Sequence, residues 1–344
     1  MHARARRPVP PRRALQAGAL PRQVQGLRLS DADPHPRLGA LIERARARAA
    51  AHSPAIGVVY ACDALALHAA AQIAVVGIAR PVLIGPRESV VRAADAAGVD
   101  VARFEVVATD GGPHEAAARA CELVHAGQVE ALMKGSLHTD ELMSAVVHKS
   151  TGLRGTTRIS HAFVFDLPRY RKLLAVADCV VNIAPHLPAK RDILTNAIGL
   201  LQRLGIAEPK VGIVAAVETV NAAIPATVDA RALVEESRAG AWPGAVVEGP
   251  LGFDNAISAE AARTKGIESV VAGDADLLLV PDLNAGNILY KSFVYIGGGE
   301  CAGLVLGARV PIVLTSRADS LRARIASVAL ATLVAAATDA GRAG

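Results

Sequence analysis

The sequence predicts an α/β fold built around a mostly parallel sheet. In residues 56–134, short apolar runs alternate with segments of helical periodicity, and glycines mark the joints between them. Apolar residues make up 52% of the 344 residues and aromatic residues only 3%, a balance typical of a layered enzyme core rich in Ala, Val and Leu. This length suits one large domain or two medium ones.

The first part of the chain alternates four predicted strands with predicted helices. The strands are residues 56–60, 81–85, 104–107 and 131–134, and the helices are residues 38–50, 64–76, 88–97 and 115–125. The joints are short, and glycines close three of these helices. This alternation predicts a parallel, doubly wound sheet.

The pattern changes near Thr156. Residues 159–166 and 173–181 predict an antiparallel hairpin, after which alternation resumes with helices at 193–204, 231–239 and 256–265 and strands at 210–217, 245–249 and 277–280. A helix from Ala285 places Asn287 and Lys291 four residues apart on one face. One last strand and a long Ala-rich helix end the sequence.

We therefore predict two domains, the second inserted into the first. Residues 37–155 and 304–344 form domain I, residues 156–303 form domain II, and the active-site cleft lies between them. The turns that follow residues 131–134 and 312–314 then lie on domain I. The segment 282–291 lies across the cleft on domain II.

Residues 1–36 are predicted to be a disordered basic tail. They contain seven arginines against two aspartates, which accounts for the whole net charge of +5 and leaves 30 basic and 30 acidic residues elsewhere. The neutral body argues against a nucleic-acid partner. No apolar stretch is long enough to span a membrane.

The cysteines predict a cytoplasmic protein with reduced thiols. Cys62, Cys121, Cys179 and Cys301 lie far apart without metal-type pairing, and no other cluster has metal-ligand spacing. We therefore expect no bound metal.

Residues 310–325 contain the turn around which we organise the functional prediction. A short apolar strand stops at Thr315, and a helical pattern restarts at Leu321. Such a strand–helix joint lies at the carboxyl edge of an α/β sheet, where ligands and anions bind. The joint carries Ser316, Arg317 and Asp319, although helix capping alone would explain the segment better.

Longer motifs follow one another along the chain. They are MKGSLHT at 133–139, GLRG at 152–155, ISHAFVFDLPRY at 159–170, VNIAPHL at 181–187, PATVDA at 225–230, EGPLGFDNAIS at 248–258, VPDLNAGNILYK at 280–291 and LTSRADS at 314–320. From about residue 37 onward the sequence thereby resembles the phosphate acetyl/butyryltransferases. It looks closer to the butyryl-type branch and to the transferase half of fusions with an enoyl-CoA hydratase.

The resemblance implies a two-domain α/β/α fold like that of the isocitrate and isopropylmalate dehydrogenases. It also implies the reaction acyl-CoA + phosphate ⇌ acyl phosphate + CoA, in which the CoA thiol attacks the acyl phosphate directly. CoA is then a substrate, no cofactor is permanently bound, and the protein is a homo-oligomer.

The same resemblance assigns catalytic roles. Ser316 holds the CoA sulfur, and Arg317 binds phosphate and the developing oxyanion. A thiol with a pKa of roughly 8.5 needs a base. In the acetyl branch that base is an Asp seven residues after the Ser, where this chain has Ala323, so Asp319 is the substitute. A first-turn carboxylate favoured by the helix dipole is an equal alternative for Asp319.

The remaining candidate residues bind substrate. The motif at 280–291 contributes Asp282, Asn284, Asn287 and Lys291, and phosphate or pantetheine contacts are expected from Lys134, Ser136, Thr139 and Arg154. His161 and Asn182 are expected to be structural, and His138 to be a surface histidine.

Two other functions stay open. A non-catalytic paralogue that binds acyl-CoA or acyl phosphate is supported by Ala323 in place of the expected Asp. An NAD-dependent decarboxylating dehydrogenase of the same fold would need a Tyr/Lys pair and a cluster of metal-binding aspartates, and the sequence shows no such cluster.

Overall fold

In the part of the chain that the computed structural model describes, residues 33–314 and 319–340, eleven strands form one sheet. The strands are β1 Ala55–Val59, β2 Arg80–Gly85, β3 Glu105–Ala108, β4 Ala131–Lys134, β5 Ser160–Asp166, β6 Leu174–Ala177, β7 Lys210–Val214, β8 Val246–Leu251, β9 Leu277–Leu279, β10 Glu300–Leu306 and β11 Ile312–Val313. Side chains in the last helix are described as far as Ala335.

Helices connect most of these strands. They are α1 Pro36–Ala51, α2 Ala64–Val76, α3 Arg87–Ala97, α4 Pro113–His125, α5 Thr139–Val146, α6 Leu187–Arg203, α7 Pro225–Arg238, α8 Phe253–Ile257, α9 Ala259–Thr264, α10 Leu283–Tyr295 and α11 Leu321–Ala340. None of the described helices combines the length and the apolar character needed to cross a membrane.

The sheet consists of two parallel blocks that run in opposite directions. Its strand order is β3-β2-β1-β4-β11-β10-β5-β6-β9-β7-β8. Strands β1 to β4 and β11 pair in parallel, as do β6, β9, β7 and β8. At the centre, β10 is antiparallel to β11 and β5, and β5 is antiparallel to β6. The prediction of an α/β fold with a mostly parallel sheet is confirmed, and so is the central hairpin.

One face of the central strands is covered by helices. Ala162 and Val164 of β5 and Leu304 of β10 are fully buried in a cluster that also contains side chains of α1, α6 and α11. Strand side chains alternate between faces, so Phe163 and Cys301 point to the other side, where α10 lies. Phe165 of β5 is fully buried on that side too, in a second cluster against which α10 packs. Both faces of the central strands therefore belong to the core.

Local capping explains why some element bounds match the prediction closely. The Asp63 carboxylate accepts the N–H of Ala66 at 2.8 Å, and Gly77 adopts a left-handed φ of 74° at the other end of α2. An Asp cap at the start and a left-handed glycine at the end are strong helix boundaries.

Other predicted bounds were wrong. The predicted helix at 256–265 is two short helices, because Ser258 turns out of the first and caps the second by accepting the N–H of Ala261 at 3.2 Å. The last strand is in fact a pair, β10 and β11, and helix α5 was not predicted. Helices α6 and α7 begin earlier than predicted, each with a proline in its first turn.

The proposed domain boundaries stay a prediction. Residues Pro34–Gly344 form one compact unit. Residues 1–32 of the predicted tail lie outside the described part, and Pro36 already belongs to α1.

Candidate active site

The carboxyl ends of three neighbouring strands form the first part of the site. Met133 of β4 pairs with Val313 of β11, and Lys134 pairs with Val59 of β1. The carboxyl ends of β1, β4 and β11 therefore lie side by side, as the sequence predicts for a ligand-binding sheet edge. Ser316 and Arg317 belong to the turn after β11 and lie outside the described residues.

The turns after β1 and β4 are tied together by hydrogen bonds. Ser136 donates its hydroxyl to the carbonyl oxygen of Tyr60 at 2.7 Å and accepts the N–H of Cys62 at 3.1 Å. Tyr60 has a φ of 56°, an uncommon conformation for a residue with a side chain. A Cβ on Gly135 would lie 2.4 Å from the Val59 carbonyl oxygen, so only glycine fits there. Ser136 thus has a structural use in addition to its predicted ligand role.

Lys134 and Thr139 flank this turn. The Lys134 Nζ donates to the carbonyl oxygen of Leu137 at 3.0 Å, which folds the ammonium group back over the turn after β4. Thr139 is exposed in the first turn of α5. His138, at the N-cap of α5, is exposed, as predicted for a surface histidine.

At the start of α11, the residue that caps the helix is not the predicted base. The hydroxyl of Ser320 accepts the N–H of Ala323 at 2.9 Å and donates to Glu300 Oε2 at 2.6 Å. Ser320 is therefore the residue that caps α11. Asp319 precedes the cap and is half-buried.

Arg324, a buried arginine that the sequence analysis did not select, lies next to Asp319. Arg324 is only 5% exposed, and its Nε points to the Asp319 carbonyl oxygen at 3.5 Å, at the limit of a hydrogen bond. Burial lowers the pKa of Arg324, while the nearby Asp319 and Asp63 carboxylates oppose this shift. We call Asp63, Lys134, Ser136, Asp319 and Arg324 the strand-end cluster.

Helix α10 forms the second part of the site. Its Tyr290 stacks on Phe163 of β5 with ring centroids 4.3 Å apart. Burial raises the pKa of Tyr290 above its usual range, and the Asp319 carboxylate adds to this shift. The second half of α10 packs against Cys301, next to Glu300, which accepts the Ser320 hydroxyl at the start of α11. Lys291, which follows Tyr290, is exposed.

The first half of α10 carries the other predicted contacts. Asp282 caps the helix by accepting the N–H of Ala285 at 3.0 Å, and Asn287 Nδ2 donates to the carbonyl oxygen of Cys179 at 3.3 Å. Asn284 is exposed. Asp282 and Asn287 both have a hydrogen-bond partner within the protein. Their presence in the motif is therefore explained in part by a structural role, since Asp282 caps α10 and Asn287 attaches it to the end of β6.

The end of β6 contains a buried carboxylate that sequence reasoning did not single out. Asp178 is 2% exposed and accepts four hydrogen bonds. One oxygen accepts the N–H of Val180 and of Val181, both at 2.9 Å. The other accepts the backbone N–H of His161 at 3.1 Å and Asn182 Nδ2 at 2.7 Å. We call these groups the Asp178 network.

The network explains the structural assignment of His161 and Asn182. Burial lowers the pKa of His161 to about 4, although the Asp178 charge acts in the opposite direction. His161 is therefore a neutral core histidine at neutral pH. Asn182 also donates to the carbonyl oxygen of Ile159 at 3.0 Å, which fixes the residues after β6 to the start of β5.

Arg154 lies elsewhere. Its backbone pairs with Ala308 in the β10–β11 connection, and its Nε donates to the carbonyl oxygen of Val147 at 2.6 Å. This position is before β11 begins, whereas the other candidates lie at or after the end of β4, follow β11 or belong to the segment of α10. Its predicted contact with substrate stays a prediction.

Among the described residues, no group of three or more His, Cys, Asp or Glu side chains could hold a metal ion. What the described arrangement offers is cationic groups, hydroxyls and half-buried carboxylates such as Asp319, just before α11. Cations and hydroxyls can bind an anion, and a carboxylate can take a proton.

Comparison with known proteins identifies the family. The family model described as "Phosphate acetyl/butaryl transferase" matches residues 113–332. A phosphate acetyltransferase of Rhizobium meliloti is 50% identical over 295 residues, which cover 86% of this chain and 93% of the relative. A phosphate butyryltransferase of Clostridium acetobutylicum is 40% identical over 259 residues, which cover 75% of this chain and 86% of the relative.

A solved structure gives the same answer. The crystal structure of a branched-chain phosphotransacylase from Enterococcus faecalis V583 superimposes with a TM-score of 0.73 at 27% identity, covering 82% of this chain and 99% of that one. The motifs, the fold and the relatives agree, and the chain belongs to the phosphate acetyl/butyryltransferase family.

Proposed function

We propose that the protein transfers a short acyl group between CoA and inorganic phosphate. The observation that carries this proposal is family membership, which is shown over most of the chain, together with the SRAD turn that follows β11 beside β4. The protein is an acyltransferase that interconverts acyl-CoA and acyl phosphate, and CoA is one of its substrates.

The chemistry assigns three roles to the SRAD turn. Asp319 takes the thiol proton, and the CoA sulfur, held by Ser316, attacks the carbonyl carbon of the acyl phosphate. The bond between that carbon and the bridging oxygen breaks, and phosphate leaves with the electron pair. Arg317 binds the phosphate and the developing oxyanion, because a guanidinium presents two parallel N–H donors to an anion.

Substrate contacts come from both parts of the site. From α10 we assign Asp282, Asn284, Asn287 and Lys291, and from the loops of the other part we assign Lys134, Ser136, Thr139 and Arg154. The packing of α10 against Cys301 supports this assignment, since the adjacent Glu300 accepts the Ser320 hydroxyl at the start of α11. Ligand chemistry from two sides suits a cleft between two domains, 37–155 with 304–344 and 156–303, as in the isocitrate and isopropylmalate dehydrogenases.

The decisive experiment is phosphate-dependent release of CoA from acetyl-, propionyl- and butyryl-CoA, followed with a thiol reagent. We expect Arg317→Ala to lower kcat/KM by about 100- to 1,000-fold, the usual loss for one oxyanion donor. Arg263→Ala, on the outside of α9, is the matched control and should keep full activity. The acyl chain with the highest kcat/KM identifies the preferred substrate.

The same assay decides the non-catalytic alternative. Ala323, which stands where the acetyl branch has its Asp, is 7% exposed inside α11. If the wild-type protein binds CoA but releases none from any acyl-CoA, it is an acyl-CoA-binding paralogue and not a transferase.

We also propose a cytoplasmic homo-oligomer. Its four cysteines are free thiols, which suits a reducing compartment. Ile288 and Tyr295 on the outer side of α10 are 66% and 70% exposed, and neighbouring Ile183 and Ile296 are also exposed. Exposed apolar residues in one region suit contact with a second copy. Light scattering that gives a monomer mass at micromolar concentration would contradict self-association.

A further inference from the structure

A cavity of about 490 Å³ lies away from the strand-end cluster. Its walls come from α6, the β10–β11 connection and the turn at 241–243, and Val334 of α11 closes one side. Val334 is ten residues after Arg324, about 15 Å along the helix at 1.5 Å per residue. This volume is within the range of small-molecule sites, about 300–1,000 Å³.

The lining of this cavity is cationic and partly apolar. Among the described residues that line it, Arg203 and Arg309 are charged, and none is a carboxylate. Arg203 forms no ion pair with any described carboxylate, and Arg309 reaches His125 Nδ1 at 3.4 Å. Buried aliphatic side chains such as Val305 provide an apolar wall. Such a surface fits an organic anion with a small apolar body.

Gly199 widens the cavity from the side of α6. It lies inside α6 and lines the cavity, and a Cβ built on it would meet nothing within 4 Å. Glycine destabilises a helix interior relative to alanine, and it is usually explained there by the close approach of another group. No described group approaches Gly199. The missing side chain leaves room that an external molecule can fill.

We propose that this cavity is a second ligand site, which binds a small organic carboxylate or phosphate ester with its anionic group between Arg203 and Arg309. The ligand contacts the chain just before the reaction site. Val310 and Pro311 line the cavity and lead directly into β11, and the SRAD turn follows. Because of this connection, we expect the bound ligand to change the turnover rate, an expectation that rests on the proposed acyltransferase function.

Trp242 makes binding measurable without any reaction. It is the single tryptophan of the sequence, it lines the cavity, and its indole N–H donates to Thr195 Oγ1 at 2.9 Å. The full chain, free of CoA, is titrated with benzoate, and benzamide serves as a neutral probe of the same shape. We expect a saturable change in Trp242 fluorescence with benzoate and at least tenfold weaker binding of benzamide.

Variants test the location. Arg203→Gln should weaken benzoate binding at least tenfold, whereas Arg263→Gln, on the outside of α9, should not change it. Gly199→Leu should abolish binding by filling the cavity. Gly199→Ala is the folding control, which should raise Tm and still bind benzoate.

Three results would overturn the proposal: a flat titration with benzoate, equal affinity for benzamide, or benzoate binding that survives Gly199→Leu. Because the fluorescence readout needs no turnover, a failed acyltransferase assay would leave this result unaffected. Conversely, an active transferase with a flat titration would overturn only the second site.

Discussion

The strand-end cluster and the Asp178 network both lie where strands end, and both contain motif residues, but they use their polar groups differently. The Asp178 carboxylate is buried and accepts four N–H groups of the protein itself. Lys134, at the end of β4, and Asp319, just before α11, are only half-buried. A motif can thus mark a scaffold as well as a binding group, and exposure together with hydrogen-bond partners distinguishes the two. The Asp178 network should govern stability and the strand-end cluster turnover.

The largest effect is expected for Asp178→Leu. The substitution removes the acceptor of four donors, of which the His161 N–H is buried and the other three belong to half-buried residues. An unsatisfied buried group costs about 1–3 kcal/mol before relaxation. We expect the free energy of unfolding in urea to fall by about 4 kcal/mol. Asp140→Leu, an exposed position in the first turn of α5, should cost less than about 1 kcal/mol. A similar loss for both variants would contradict the special role of the network.

The second effect is a pH dependence carried by His161. Its pKa is 6.5 in the unfolded chain and about 4 in the fold. Between these values the unfolded state binds a proton and the native state does not, so this contribution to stability is present above pH 6.5 and is lost as pH falls toward 4. Over the whole window the loss is on the order of 3 kcal/mol.

The matched variant is His161→Leu, which removes the titrating ring but keeps the backbone N–H that binds Asp178. Urea unfolding at pH 7, 6, 5 and 4.5 should show a shallower fall in stability for this variant than for the wild type. Parallel curves for the two proteins would show that His161 is not the group responsible.

In the strand-end cluster, Asp319→Asn should lower kcat by about 100-fold, a typical loss for a general base, with little change in stability. Ser320→Ala is the comparison, since it removes the α11 cap and should cost about 1 kcal/mol of stability with a smaller loss of kcat. If Asp319→Asn instead lowers Tm and leaves kcat intact, Asp319 is a structural first-turn carboxylate.

The smallest effect is expected for Lys291→Gln. The Lys291 side chain is exposed on α10, and a single contact to an anionic substrate in water is weak. We expect the KM for CoA to rise by about three- to tenfold, with kcat nearly unchanged. An unchanged KM would remove Lys291 from the substrate contacts.

Much of the fold could be predicted because its signals are local. Helix α2 has the predicted bounds, since Asp63 and Gly77 cap it, and β4 also has the predicted bounds. Where the local signal misleads, the prediction failed. The segment 256–265 is helical in composition, yet Ser258 divides it because its hydroxyl offers the next helix a better start. Helix α5, which begins at Thr139 at the end of the motif after β4, was not predicted.

Less of the candidate site than of the fold could be predicted from the sequence. Residues on contiguous motifs, such as Asp319 and Asn287, could be named as candidates from the family resemblance, and their roles stay predictions. Asp178 could not, because its acceptor role depends on a turn and on His161, seventeen residues away across a strand pair. Arg324 was missed for a similar reason, since a single arginine in a helical pattern gives no sign that it will be buried. Burial of a charge is a property of the assembled fold.

The place of β11 has a consequence for the growing chain. Strand β11 lies between β4 and β10 in the sheet, although almost two hundred residues separate it from β4 in the sequence. Helix α11, which follows β11, donates a hydrogen bond from the Thr332 hydroxyl to the carbonyl oxygen of Ile78. On the ribosome, β1 to β4 can associate early, but β4 keeps an unpaired edge until the final strand emerges. Such an edge invites pairing with other chains. The turn with Ser316 and Arg317 appears at the same late moment, so during synthesis protection of the sheet and completion of the reaction site occur together.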